Sequence, residues 1–220
     1  MRGPRITRTR LALALGACTL AGVGVAAAAT LPAIASAKLW GGSQTLTKTT
    51  CSLGASAEDA TWIDQAHPTQ TNGGSSTLSV QNNSNKVQIA FIRLSLSSCA
   101  LPTTGGADAA TLTVTVTAAT NTKHTISLYP VYSSWSGSSL TWSSAQSLTI
   151  GSTATTSFAN STGSHALTVT ADVDAAIKAG ALWGWELVDT AGGNTSTTAI
   201  ASASYPASSY RPSLSLSYEK

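Results

Sequence analysis

The chain has 220 residues, of which 42% are hydrophobic and only 10% carry a charge. The formal net charge is +3, but four of the twelve basic side chains are arginines within the first ten residues. The other 8 basic and 9 acidic side chains give −1, which excludes a polybasic surface for nucleic acid or an anionic membrane.

The N-terminal residues have the three parts of a secretory signal peptide. The four arginines precede an apolar run that starts at Leu11, and Ala35-Ser36-Ala37 has the small-x-small pattern that signal peptidases accept. Pro32 interrupts the apolar run, which favours a removed leader over a retained membrane anchor. We therefore predict export, with residues 1–37 as the signal peptide.

A lipoprotein signal is the alternative interpretation of the same region. Leu15-Gly16-Ala17-Cys18 resembles a lipobox, but the apolar run continues beyond Cys18, where a lipidated protein usually becomes polar. We rank lipidation of Cys18 below simple cleavage.

Cys51 and Cys99 are the two cysteines that remain after cleavage. Because an exported chain matures where thiols oxidise, we predict a disulfide between them. Two cysteines are too few for a typical zinc site, so a structural bridge is the simpler interpretation.

Alternation of apolar and hydroxyl-bearing residues predicts β-strands. The clearest segments are Thr111–Thr117, Ala166–Val173 and Ser213–Tyr218. Val87–Ser98 is apolar on both faces, which predicts a central strand or a bulge. Arg93 lies in phase with Phe91, so we expect it to reach solvent or to find an internal acceptor.

Asp172–Gly180 is the segment with a helical pattern, and Leu182–Val188 returns to strand character. Short strands separated by Gly and Asn turns indicate a β-sandwich or barrel. Leu101–Gly105 has the Leu-Pro-x-Thr-Gly sequence that sortases cut. However, 115 residues follow Gly105, so we predict a turn there instead of a cell-wall signal.

Four segments follow one another in an order that resembles a known domain family. They are Asp59–Ser98, with Pro-Thr, a Gly-Ser turn and an Arg-containing strand; Leu128–Gln146, with two tryptophans; Asp172–Thr190, a helix followed by a Gly-aromatic strand; and Ser209–Tyr218, an Arg-Pro strand. Together they resemble the DNRLRE domain, also classed as carbohydrate-binding module family 96. The resemblance implies an all-β fold, a jelly-roll-type antiparallel β-sandwich with one short helix, that binds polysaccharide.

The resemblance also defines domain boundaries and structural roles. We expect an N-terminal lead segment at 38–57 and the DNRLRE-like β-sandwich at 58–220. Trp135 and Trp142 match framework positions, so we expect both in the core. Trp185 alternates with Leu187 and should also face inward.

The predicted carbohydrate-binding residues are aromatic or close to proline, because a flat ring can stack on the C–H face of a sugar. They are Trp62, His67, Trp183 and Tyr205.

We expect no cofactor and leave a metal site open. His67, His124 and His165 lack ligand spacing. The acidic cluster of Glu58, Asp59 and Asp64 has oxygen ligands for a structural calcium ion, but no calcium-loop consensus surrounds it, so we expect capping or solvated carboxylates.

No hydrolase, metalloprotease or phosphate-loop motif is present, so we predict that the protein is not an enzyme. The predicted function is a secreted, non-catalytic polysaccharide-binding protein. The alternative is a structural or adhesive extracellular or cell-surface protein without sugar binding. We expect polysaccharide or cell-envelope glycan as the partner, without nucleic acid and without a transmembrane anchor after cleavage, and we leave self-association and cell-surface association open.

Overall fold

Long runs of Thr, Ser, Val and Leu form a structure made almost entirely of antiparallel β-sheet. The computed structural model describes residues 47–54, 58–83, 86–101, 106–120, 124–179, 183–191 and 196–219, all within the unit Thr45–Lys220. The predicted signal peptide, Cys18, Pro102–Gly105 and Gly180 lie outside the described residues.

Eleven strands and two α-helices occur within these ranges. The strands are β1 Lys48–Leu53, β2 Glu58–Asp64, β3 Thr77–Asn83, β4 Lys86–Leu94, β5 Ala107–Ala119, β6 Thr125–Pro130, β7 Thr156–Ala159, β8 Gly163–Thr168, β9 Trp185–Asp189, β10 Thr197–Ala201 and β11 Ser213–Glu219. The helices are α1 Trp142–Ala145 and α2 Thr170–Ala179, and Leu96–Ser98 and Ser208–Tyr210 are single 3₁₀ turns.

Two long strands, β4 and β5, organise the sheet. On one side β5 pairs with β8, and on the other it pairs first with β11 and then with β10. On one side β4 pairs with β2, and on the other it pairs first with β3 and then with β9. The β10–β3 pair connects the two groups, so the path runs β1-β11-β5-β10-β3-β4-β9-β6-β7. The predicted all-β antiparallel β-sandwich is confirmed.

The alternating strands place their apolar residues in one main core. The predicted inward residues Leu112, Val114 and Val116 of β5 and Leu214, Leu216 and Tyr218 of β11 are buried, while the Ser and Thr residues between them are mostly more exposed. The central members of the main core are Leu78, Val80, Ile92, Leu112, Val114, Ile126, Leu128, Trp185, Leu187, Ile200, Leu214 and Tyr218. Burial of these side chains is the main stabilising contribution to the sandwich.

A second apolar cluster lies on the opposite face of β4. This outer cluster consists of Ile63, Phe91, Val131, Trp135 and Leu140. β4 is therefore central and buried on both faces, as its two-sided apolar pattern predicts. The chain between β6 and β7, including α1, contributes the residues that cover the outer cluster.

The predicted strand Ala166–Val173 is wrong in its second half. β8 ends at Thr168, and the carbonyl of Val169 accepts a 3.1 Å hydrogen bond from the backbone N–H of Val173, the spacing of a helix. Ala171 is exposed, whereas the alternating pattern places it inside. The alternating strand pattern and the helical pattern of the sequence overlap at Asp172 and Val173. The helix begins at Thr170, before its predicted start at Asp172.

The predicted disulfide is confirmed. Cys51 on β1 is bonded to Cys99, which follows the 3₁₀ turn after β4. β1 lies in the predicted lead segment 38–57 and pairs along its whole length with β11. The bridge therefore connects this edge strand to a distant part of the chain, 48 residues away.

We predict that replacing both cysteines, Cys51→Ser with Cys99→Ser, lowers the free energy of unfolding by about 4 kcal/mol, because the unfolded chain regains the entropy of an open loop. Urea unfolding followed by tryptophan fluorescence measures the change, with chemically reduced wild type as the matched control. An unchanged unfolding midpoint in both samples contradicts a stabilising bridge.

Candidate functional site

Arg93 is held between two tryptophan rings on the outer face of β4. Its guanidinium carbon lies 5.5 Å from the ring centroid of Trp135 and 5.3 Å from that of Trp183. Its Nη2 donates to Asp59 Oδ2 at 2.9 Å, and its Nη1 donates to the carbonyl of Trp135 at 3.2 Å. Arg93 has thus found the internal acceptor that its position predicts. Because the guanidinium charge already interacts with Asp59 and with the two tryptophan rings, the role of Arg93 is structural.

The same contacts fix the two tryptophans. Trp135 Nε1 donates to the carbonyl of Trp183 at 2.6 Å, and the Trp135 ring meets Phe91 edge-on with centroids 5.7 Å apart. Gly184 has φ +103° and lies so close to the Ile92 carbonyl that a Cβ atom would clash with it. The predicted core position of Trp135 is confirmed, since only 7% of the residue is exposed.

The other predicted core tryptophans lie on opposite faces of the sheet. Trp185 is fully buried in the main core, as predicted. Trp142 starts α1 and is half-buried against the outer cluster. The tryptophans of the family-like motif therefore serve packing.

The four predicted binding residues lie in different surroundings. Trp62 is half-buried against the main core, and Trp183 is half-buried against the outer cluster. His67 lies in the exposed turn after β2, and Tyr205 lies in the segment between β10 and β11. Among the described residues, no hydrogen bond or ring contact joins any two of the four. Their role in sugar binding stays a prediction.

Tyr205 instead stacks on a residue that the sequence reasoning missed, Tyr210. The two ring centroids are 5.7 Å apart with an interplanar angle of 17°, and 46% of Tyr210 is exposed. The backbone N–H of Tyr205 donates to the Ser202 carbonyl, and Arg211 Nε donates to the Tyr205 carbonyl at 2.7 Å. We call the two rings the tyrosine pair. Tyr205 is half-buried, so the pair forms a partly exposed aromatic surface of the kind on which a sugar ring stacks.

Glu58, at the start of β2, lies near the segment that carries the tyrosine pair. The pKa of Glu58 is raised to about 8, mainly by burial and to a smaller extent by the neighbouring Asp59, while the backbone of Ala203 and the charge of Arg211 oppose this rise. Within the described residues, neither carboxyl oxygen has a hydrogen bond of good geometry. Glu58 is therefore largely protonated at neutral pH and can act as a hydrogen-bond donor.

The remaining predicted metal ligands have protein partners. Asp59 bonds to Arg93, as above. Although burial raises the pKa of Asp64, hydrogen bonds from His67, the Ala66 N–H and Gln88 outweigh burial and lower it overall. Across the described ranges, no group of three or more His, Cys, Asp or Glu side chains could hold a metal ion.

A cleft of about 730 Å³ lies between α2 and the end of β4. Its lining is mostly apolar and includes Leu94, Leu96, Leu101, Val173, Ile177 and Leu214. Such a lining has few groups that could orient sugar hydroxyls.

The comparison with known families decides the general class of the molecule. The model of carbohydrate-binding module family 96 matches residues 52–218, which is more than half of the chain. The chain belongs to carbohydrate-binding module family 96. This match confirms the predicted resemblance, while the DNRLRE name stays a prediction.

The family 96 module has no match among curated proteins. No helix in the described part of the chain has the length and apolar character needed to span a membrane.

We predict that Glu58→Gln flattens the pH dependence of stability. Between its ordinary pKa of 4.5 and its folded pKa of about 8, the folded state of the wild type binds more protons than the unfolded state. Wild-type stability therefore falls as the pH rises through this window. The variant should be more stable than wild type at pH 8.5, by an amount on the order of 1–3 kcal/mol after solvent screening, and nearly equal at pH 4.5.

Urea unfolding at both pH values measures this difference. Glu186, whose pKa burial raises to about 7, adds a similar slope in both proteins and cancels in the comparison. Glu219→Gln, at an exposed position, is the matched control. Parallel curves for wild type and Glu58→Gln would contradict a buried, protonated Glu58.

Proposed function

We propose that this family 96 module is a secreted, non-catalytic polysaccharide-binding protein that holds its ligand on the tyrosine pair. The observation that carries the proposal is the stacking of the half-buried Tyr205 on the exposed Tyr210 in a chain that belongs to a carbohydrate-binding family. Two rings that already stack on each other would lose less conformational entropy when a sugar binds than two separate rings, which favours affinity.

The tyrosine pair also has polar neighbours suited to sugar hydroxyls. The two tyrosine hydroxyls can each donate and accept a hydrogen bond. Arg211 adds positive charge, although its Nε already donates to the Tyr205 carbonyl. Stacking on the rings would attract the sugar, and hydrogen bonds to these polar groups would fix its orientation.

Several contacts support the non-catalytic part of the proposal. A buried His–Asp pair, His124 with Asp189, resembles part of a hydrolase triad, but each side chain is only 1% exposed. Asp59 and Asp64 are engaged by Arg93 and His67, respectively. Glycoside hydrolysis needs two carboxyl groups that face one bond.

Secretion is supported by the predicted signal peptide and by the disulfide Cys51–Cys99. Disulfides persist in oxidising compartments and are rare in the cytosol. Production of the full chain in its host, with the protein then sought in the culture medium, tests this part separately.

We predict that replacing both rings, Tyr205→Ala with Tyr210→Ala, weakens retention on an insoluble polysaccharide at least about tenfold, equivalent to about 1.4 kcal/mol. Pull-down on a panel of insoluble glucans, xylans, mannans and uronic-acid polymers measures retention. Tyr210→Phe keeps the stacking surface and should retain most of the affinity, and Ser208→Ala in the same segment is the matched control.

Two outcomes would overturn the proposal in different ways. Equal retention of the double alanine variant and wild type excludes the tyrosine pair as the binding surface. No retention of wild type on any polysaccharide at high protein concentration favours the alternative, a structural or adhesive protein without sugar binding.

A further inference from the structure

A second exposed tyrosine lies outside the tyrosine pair. Tyr132, just after β6, has 45% of its surface exposed and lies on a groove of about 570 Å³. The other walls are residues 149–155 and the start of α2, at Ala171 and Asp172. All of these residues fall within the uninterrupted described range 124–179.

Backbone pairing holds the two sides of this groove together. Val131 and Ile150 form a β-bridge, and the Tyr132 N–H donates to the Thr149 carbonyl at 2.8 Å. The Gly151 N–H donates to the Pro130 carbonyl at 2.8 Å, and a Cβ atom on Gly151 would clash with the proline ring. The groove is therefore formed before any ligand arrives, which lowers the entropy cost of binding.

One carboxylate lies in the groove wall in a fixed orientation. Asp172 Oδ2 accepts hydrogen bonds from Thr155 Oγ1 at 2.6 Å and from Trp185 Nε1 at 2.7 Å. Within the described residues, Oδ1 of Asp172 accepts no hydrogen bond, so it remains available as an acceptor. Thr149, Ser152 and Thr153, whose side chains carry hydroxyl groups, also line the groove.

From this arrangement we propose that the groove is a second glycan-binding subsite, specific for a neutral sugar unit. The exposed ring of Tyr132 stacks on the C–H face of the sugar, and Oδ1 of Asp172 accepts hydrogen bonds from sugar hydroxyls. The proposal rests on the proposed carbohydrate-binding function and adds a second site and a ligand class to it.

The charge of the groove selects against acidic sugars. Among the described residues that line it, Asp172 alone is charged. A uronate or sulfated sugar would bring a second negative charge close to this carboxylate without a cation to offset it. Neutral units of a glucan, xylan or mannan avoid that repulsion.

Amide NMR titration of the ¹⁵N-labelled protein tests the subsite without relying on a variant. The neutral probes are cellohexaose, xylohexaose, mannohexaose and laminarihexaose, and the acidic probe is tetragalacturonate. We expect at least one neutral probe to shift the amides of residues 149–155 in addition to those around the tyrosine pair.

Two variants assign the contacts. Tyr132→Ala should weaken the titration at 149–155 at least about tenfold and leave the titration around Tyr205 and Tyr210 unchanged. Tyr205→Ala with Tyr210→Ala should have the reverse effect. Asp172→Asn keeps an acceptor for Thr155 and Trp185 but should reduce the preference for neutral over acidic probes. A native-like spectrum of each variant confirms that it folds.

Each contrary outcome has a distinct meaning. Shifts confined to the tyrosine pair overturn the second subsite and leave the proposed function intact. Saturation of the groove by tetragalacturonate at an equal or lower concentration overturns the ligand class. If no probe shifts either region, both the subsite and the proposed function are overturned.

Discussion

The partly buried charge of Arg93 on the outer face of β4 is the constraint on which the rest of the structure depends. A cation placed against an apolar cluster needs compensation, and Asp59, the Trp135 carbonyl and the rings of Trp135 and Trp183 provide it. The contacts of Arg93 with Trp135 hold the chain between β6 and β7 in place, and this chain covers the outer cluster. The second face of β4 is thereby closed, and the sandwich gains a layer beyond its main core.

This arrangement explains where binding can and cannot occur. Tryptophans are the best stacking surfaces, but here Trp135 and Trp185 are buried, and the ring of Trp183 packs against the guanidinium group of Arg93. Among the described residues, the exposed large hydrophobic side chains are instead tyrosines on connections, Tyr210 after β10 and Tyr132 after β6, whereas Trp62 and Trp142 are half-buried. A scaffold of this kind can change ligand by changing its connections without disturbing the core.

The sequence predicts the parts that depend on local periodicity. Alternation placed the buried faces of β5 and β11 correctly, and the two-sided pattern of β4 correctly indicated a central strand. Tyr210 was missed because stacking on Tyr205 depends on how residues 202–211 bend, which no periodicity encodes. The groove at Tyr132 was missed for a similar reason, since Asp172 and the 149–155 segment meet only through tertiary packing.

The most direct test of the central claim, that tryptophans are scaffold and tyrosines bind, is tryptophan fluorescence during polysaccharide binding. A Trp40→Phe variant limits the signal to the five tryptophans from Trp62 to Trp185. Under saturating ligand, with binding verified by retention, we predict an unchanged emission maximum and unchanged iodide quenching. A blue shift with loss of quenching would contradict the account, because it would mean that the ligand covers an indole ring.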